Sequence, residues 1–159
     1  MLSNQDVIPQ LLEAVPALES VWSEIEDDDY HFNDDGTRLN YIDAGSIARM
    51  LVAMYQDGRT DELRSAFVVF ERFLLDGYPE TAELITVGYL EDIQNASLQS
   101  GIPLDDWLLL MGPECRRWWL GVQIFWEEGR VHIQPVDSDG TTLATSSNWI
   151  SALVRRWRA

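Results

Sequence analysis

Three amphipathic segments follow one another in the middle of this chain with almost nothing between them. That punctuation limits the possible folds more than any other feature. Asp43 can cap a helix running to about Asp57, with Ile47, Met50, Leu51, Met54 and Tyr55 on one face and Gly58 at its stop. Thr60 can cap the next, where Asp61 and Glu62 fall in the dipole-favoured first turn and Leu63, Phe67, Phe70 and Leu74 form the buried stripe. Gly77 ends it, and Pro79, suited to a first helical turn, opens a third segment through Asn95. Apolar residues on this third segment (Ala82, Ile85, Tyr89 and Ile93, with Leu84, Val87 and Leu90) make more than one stripe, so it is expected at the centre. Gly88 inside it costs about 1 kcal/mol of helix propensity against alanine, which a close helix–helix contact would explain. Such short connections pack neighbouring helices antiparallel.

The rest of the chain extends the pattern. Residues 5–25 carry helical spacing at Leu11, Leu12, Val15, Leu18, Val21, Trp22 and Ile25, and Pro16 predicts a break or bend within them. Leu104, Trp107, Leu108 and Met111 predict a short helix. Gly112-Pro113 starts another with Trp118, Val122, Phe125 and Trp126 on its face. The period then changes. Val131 and Ile133 alternate with His132 and Gln134 before a DSDG turn, which predicts a small β-hairpin. Ser147 or Asn148 caps a terminal helix bearing Trp149, Leu153 and Trp157, with Arg155, Arg156 and Arg158 near its end. The expected fold is mainly α: an antiparallel helical array with HEAT-like hairpins over 1–129, followed by the hairpin and terminal helix over 130–159. The side chains do not repeat in register, so this is an array and not a repeat protein. The 159 residues make one domain, large enough to bury about 70% of the extended chain's surface.

Charge narrows the partners. The net charge is -16, and residues 1–37 hold ten acids and no Arg or Lys. Such a field repels nucleic acid and anionic membrane and attracts basic surfaces. Solubility alone is the plainer reading of the same charge. No apolar run approaches the about 20 residues of a membrane span. The N-terminus lacks the basic and apolar regions of a signal peptide, and Cys115 is the sole cysteine. The expected location is cytoplasmic.

No catalytic signature stands out. Placing Gly36 at position 6 of a calcium loop puts His31 at position 1 and Ile42 at position 12, where carboxylates are required. The Asp137–Gly140 run fails the same test, with Pro135 and Ser146 at those positions. Cys115, in a first helical turn before Arg116 and Arg117, has a setting that lowers a thiol pKa, but neither His31 nor His132 forms a local motif with it. Glu91 and Asp92 could pair for acid–base work; the simpler reading pairs one with Arg116 or Arg117. No metal ligands cluster and no phosphate loop is present, so neither metal nor cofactor is expected and the reading is non-enzymatic.

YLEDIQN at 89–95 followed by MGPECRRWW at 111–119 resembles a family of small bacterial α-helical proteins of unknown function. Its members carry a LEDLQN-like helix before a LGPESRRWW-like element. The resemblance covers about residues 5–126. Cys115 stands where Ser is usual, which argues further against thiol chemistry. Relatives of this kind are often encoded beside toxins and read as immunity proteins. The resemblance implies that Glu91, Asp92, Asn95, Arg116, Arg117, Trp118 and Trp119 are a structural signature; on physical grounds Arg116 or Arg117 is expected to pair with Glu91 or Asp92 and lock two helices together. The resemblance also implies a cognate protein toxin as partner, and the acidic charge makes a basic surface on that toxin the expectation. Asp27, Asp28, Asp29, Tyr30, Phe32, Asp34 and Asp35 are then the expected binding residues, acids giving fast association and aromatics giving residence time. The alternative is a helical regulatory or scaffold module for another protein.

Overall fold

The computed structural model describes residues 1–137 and Asp139. Within them the chain is mainly helical, and β-bridges are isolated, among them Leu2 with Gly77 and Phe32 with Arg38. Helix α1 (Asn4–Ala14) opens on a capping box in which the Ser3 N–H and hydroxyl both donate to Asp6, at 2.7 and 2.8 Å. Pro16 breaks the N-terminal segment as expected: a 3₁₀ turn, Pro16–Leu18, separates α1 from α2 (Glu19–Ile25). Helices α3 (Asn40–Gln56) and α4 (Thr60–Asp76) follow.

The third segment is longer than its sequence pattern and not uniform. It runs without a break through α5 (Pro79–Glu83), a π-helical stretch (Leu84–Leu90) and α6 (Glu91–Gln99), with right-handed helical dihedrals at both joins. π-Helical turns are rare and gather at functional sites. A 3₁₀ helix (Leu104–Leu110) then leads to α7 (Pro113–Glu128).

Two pairings set the layers. Helix α3 lies beside the π stretch and α6, while α4 lies beside α1 and α7. Gly88 makes the first possible: a Cβ there would sit 3.2 Å from the Ala44 methyl and 3.0 Å from Leu84. The close contact expected of this glycine is therefore real. Between the layers sit Phe67, Phe70, Tyr89, Trp107 and Trp119, all fully buried, with Trp107 6.0 Å from Phe67 and 6.1 Å from Trp119, ring centre to ring centre. Helix α4 also caps α7. The Glu71 carboxylate accepts the Glu114 and Cys115 N–H groups at 2.9 and 2.7 Å, satisfying donors that have no partner within the helix.

The expected first strand at Val131–Ile133 does not form; it is a correction to the β-hairpin. Those residues cross α7 instead. Ile133 and Val136 are buried, and the Val136 N–H donates to the Arg117 carbonyl at 3.0 Å. The rest of the hairpin and the terminal helix lie outside the described residues. The crossing depends on Gly121, whose added Cβ would fall 1.9 Å from the Gln134 carbonyl oxygen. Gly121→Ala should therefore undock residues 133–136 and cost about 2–4 kcal/mol, from lost burial of Ile133 and Val136. The check is urea unfolding together with amide exchange over 130–137; unchanged protection there would refute the account.

Candidate binding surface

Between α2 and α3 the acidic segment folds into a small, closed hairpin. A 3₁₀ turn (Asp29–His31) starts it, capped by the Asp28 side chain accepting the Tyr30 N–H at 3.0 Å. Gly36 N–H to Asn33 C=O (2.9 Å) and Asn33 N–H to Thr37 C=O (2.8 Å) close its tip, and Leu39 N–H to His31 C=O (2.8 Å) closes its base. The hydrogen bonds from the Thr37 hydroxyl and N–H hold the Asp35 carboxyl below the usual carboxylate range. Turn chemistry in the sequence predicted an irregular region. What it missed is the anchor.

That anchor is Arg38. Its guanidinium is gripped from two sides by the buried Asp43 carboxylate, through Nε and through Nη2 at 2.9 Å. Its other donors reach the carbonyls of Glu26 (2.7 Å) and Ile25 (3.2 Å) at the end of α2. Its flat faces lie against Trp22 and Phe32, 4.4 and 4.8 Å from the ring centres. Asp43 also bonds His31 Nδ1 at 2.7 Å. One cation thus ties together the end of α2, the hairpin and the start of α3. Asp43, expected as the cap of α3, lies instead inside a helix that starts at Asn40. A buried charge needs partners, and His31 and Arg38 are those partners.

The seven predicted binding residues divide. Asp27, Asp28, Asp29, Asp34 and Asp35 are all exposed, and Tyr30 stands out at 71% exposure. Phe32 is half-buried beneath Arg38 and serves the anchor, so it is not displayed to a partner.

The signature residues come together on α6 and α7, but not through the expected ion pair. Arg117 bonds Glu114 at 3.0 Å and Asp137 at 3.1 Å, and Arg116 donates to the Leu108 carbonyl at 2.9 Å. Neither reaches Glu91 or Asp92. The two helices are joined by a neighbour of the signature, Gln94, whose amide donates to the Trp119 carbonyl at 2.9 Å within the core. Trp118 and Trp119 are buried, and Asn95 is exposed. Burial, reinforced by the adjacent Asp92, raises the Glu91 carboxyl to about 7 against a hydrogen bond from Trp126. Burial raises Asp92 to about 6, opposed by the Arg49 charge. A third carboxyl on the same long helix, Glu83, rises to about 7 through burial and then Glu80.

Burial, with Glu71 beside it, pushes the Cys115 thiol well above its ordinary range, and its sulfur faces the Phe67 carbonyl at 3.7 Å. An unreactive buried thiol follows. Among the described residues no group of three His, Cys, Asp or Glu side chains is placed to hold a metal ion. No helix among them is long and apolar enough to cross a membrane.

Residues 8–127 match a family described as a domain of unknown function, DUF7674, and the chain belongs to that family. The match spans α2 to α6 in full, α7 up to its last residue and the C-terminal part of α1, so the hairpin, its anchor and the α6–α7 pair all lie within the family domain. No curated protein and no solved structure matches the chain.

Proposed function

We propose that this protein is a non-catalytic, cytoplasmic binding protein that captures and neutralises a basic protein toxin, in the manner of an immunity protein. The observation that supports this reading is the anchored hairpin, where five exposed aspartates surround an exposed Tyr30 on a backbone fixed by Arg38 and Asp43. The acids steer a basic partner into contact and set its orientation. Tyr30 supplies a large rigid contact with little rotamer freedom to lose. Because the hairpin is already ordered, association loses little backbone entropy on binding.

Co-expression with the product of the adjacent open reading frame tests the proposal. The expected result is rescue from toxicity together with a stable complex. Replacing the five aspartates with asparagine should abolish both while leaving the fold intact. Co-purification of a non-toxic neighbour would favour the scaffold reading instead. Rescue by the five-asparagine variant equal to that of the wild type would refute the hairpin as the working surface.

A further inference from the structure

Arg116 is exposed on α7 and, among the described residues, pairs with no carboxylate. Its Nε donates to the Leu108 carbonyl at 2.9 Å, which holds the guanidinium against the 3₁₀ helix and leaves both Nη groups for another acceptor. Beside it, between that helix, α7 and the crossing segment, lies a recess of about 470 Å³. Leu109, Leu120 and Val136 are among its apolar walls, and its charged lining is Arg116, Arg117 and Asp137. The acids at this corner are already engaged. Asp137 and Glu114 both accept from Arg117, Glu114 accepts the Trp118 indole N–H at 3.1 Å, and Asp106 accepts the Tyr55 hydroxyl at 2.9 Å. Asp139, two residues beyond Asp137, has an interaction of its own. Asp105 is exposed and does not line the recess. The lining therefore sums to one positive charge, that of Arg116, beside apolar walls. Leu109 is 79% exposed, so the recess is open on its side.

We propose that this recess binds the free carboxylate of a polypeptide partner that ends in a large apolar residue. Arg116 holds the carboxylate, and Leu109, Leu120 and Val136 receive the side chain. The inference goes beyond the toxin-capture reading and does not rest on it. A planar carboxylate matches the two Nη donors of a guanidinium in a bidentate pair, and Arg116 is already held by Leu108, so less rotamer freedom is lost on binding. The field of a chain with net charge -16 opposes anions in proportion to their charge, so a single carboxylate is admitted more readily than a phosphate dianion. The open side decides between a free small acid and a chain end. Small-molecule sites cover about 70–90% of their ligand. A recess open beside Leu109 covers one end of its ligand, and the rest of a chain leaves through the opening.

Three probes test the site at about 150 mM salt, where the long-range field is screened: acetyl-Ala-Ala-Leu as the free acid, the same peptide as its C-terminal amide, and isocaproate. Backbone amide signals of the protein report binding. The free acid should move the signals of Leu109, Leu120 and Val136 saturably, and the amide should bind about tenfold more weakly or worse. Arg116→Gln should bind the acid and the amide alike, a loss of discrimination that a merely structural role for Arg116 would not produce. Leu109→Asp, a change at an exposed side chain, should weaken binding of the acid about fivefold or more. Arg72→Gln, outside the recess, should leave it unchanged. No saturable movement, equal wild-type binding of acid and amide, or unchanged discrimination in Arg116→Gln would overturn the site. Isocaproate binding as tightly as the peptide acid would assign the recess to a small free acid and overturn the chain end as its occupant. None of these outcomes touches the hairpin, whose expected partner is basic.

Discussion

Asp43→Ala is expected to destabilise the protein by about 3–5 kcal/mol, because it removes the common acceptor of a part-buried arginine and a buried histidine. Asp43 is 1% exposed and carries three contacts, two from Arg38 and one from His31. Without it the Arg38 guanidinium stays pressed between Trp22 and Phe32 with no counter-charge, and His31 keeps a buried ring nitrogen with no partner. For a domain of this size the loss corresponds to a fall in melting temperature of about 10 °C. The hairpin should loosen first, since its base is held by the same groups. Thermal unfolding and amide exchange over 28–39 are the checks. A change below about 1 kcal/mol would mean that the anchor contributes little.

The second large effect is a pH dependence opposite in sense to that of most acidic proteins. Glu83 and Glu91 titrate at about 7, and Asp92 at about 6, against ordinary values of 4.5 and 3.8. Each is raised, so the folded state favours the protonated form. The stability from these groups is fully present below about pH 4 and is lost progressively as pH rises through 6 to 7. Glu83 is 5% exposed, and its Oε1 has no hydrogen-bond partner. Glu91 is part-exposed, so screening reduces its share. About 2 kcal/mol from each glutamate is the expected scale. In acid, Asp6 and Asp35 act the other way: hydrogen bonds from Ser3 and Thr37 hold them low, and that support disappears on protonation. Stability should therefore peak near pH 5 and fall towards pH 8. Glu91→Gln and Glu83→Gln should each flatten the fall, and a wild-type profile that is level from pH 5 to 8 would contradict this.

The helices were legible because their signals are local. Proline at 16, 79 and 113 and glycine at 77 and 129 mark boundaries that the structure keeps. The centrality of the third segment could be read from its two stripes, and Gly88 from its cost. The anchor was not legible, because Arg38 acts through Trp22, Phe32 and Asp43, which no periodicity links. One hint was available: Arg38 is the first basic residue after ten acids, so something acidic had to hold it. The Arg–carboxylate lock failed for a related reason. Helical spacing says which residues share a face but not how α7 rotates against α6. That rotation turns Arg116 and Arg117 towards Leu108, Glu114 and Asp137, and leaves Gln94 to make the crossing bond. The strand at 131–133 misled because two alternating apolar residues are too short a signal: the chain bends at 131 and 132, Val131 stays exposed and only Ile133 is buried. The π-helical stretch has no sequence signature among those considered.

The most direct test of the central claim is the association rate of the co-expressed partner, measured at several salt concentrations for the wild type and for the variant with Asp27, Asp28, Asp29, Asp34 and Asp35 changed to asparagine. Between about 50 and 500 mM salt the Debye length shrinks from about 14 to 4 Å, so steering by the hairpin should fade. The wild-type rate should fall at least about tenfold over that range, and the variant should be slow throughout with little salt dependence. Equal rates and equal salt slopes for the two proteins would contradict the claim that the anchored acidic hairpin is the binding surface.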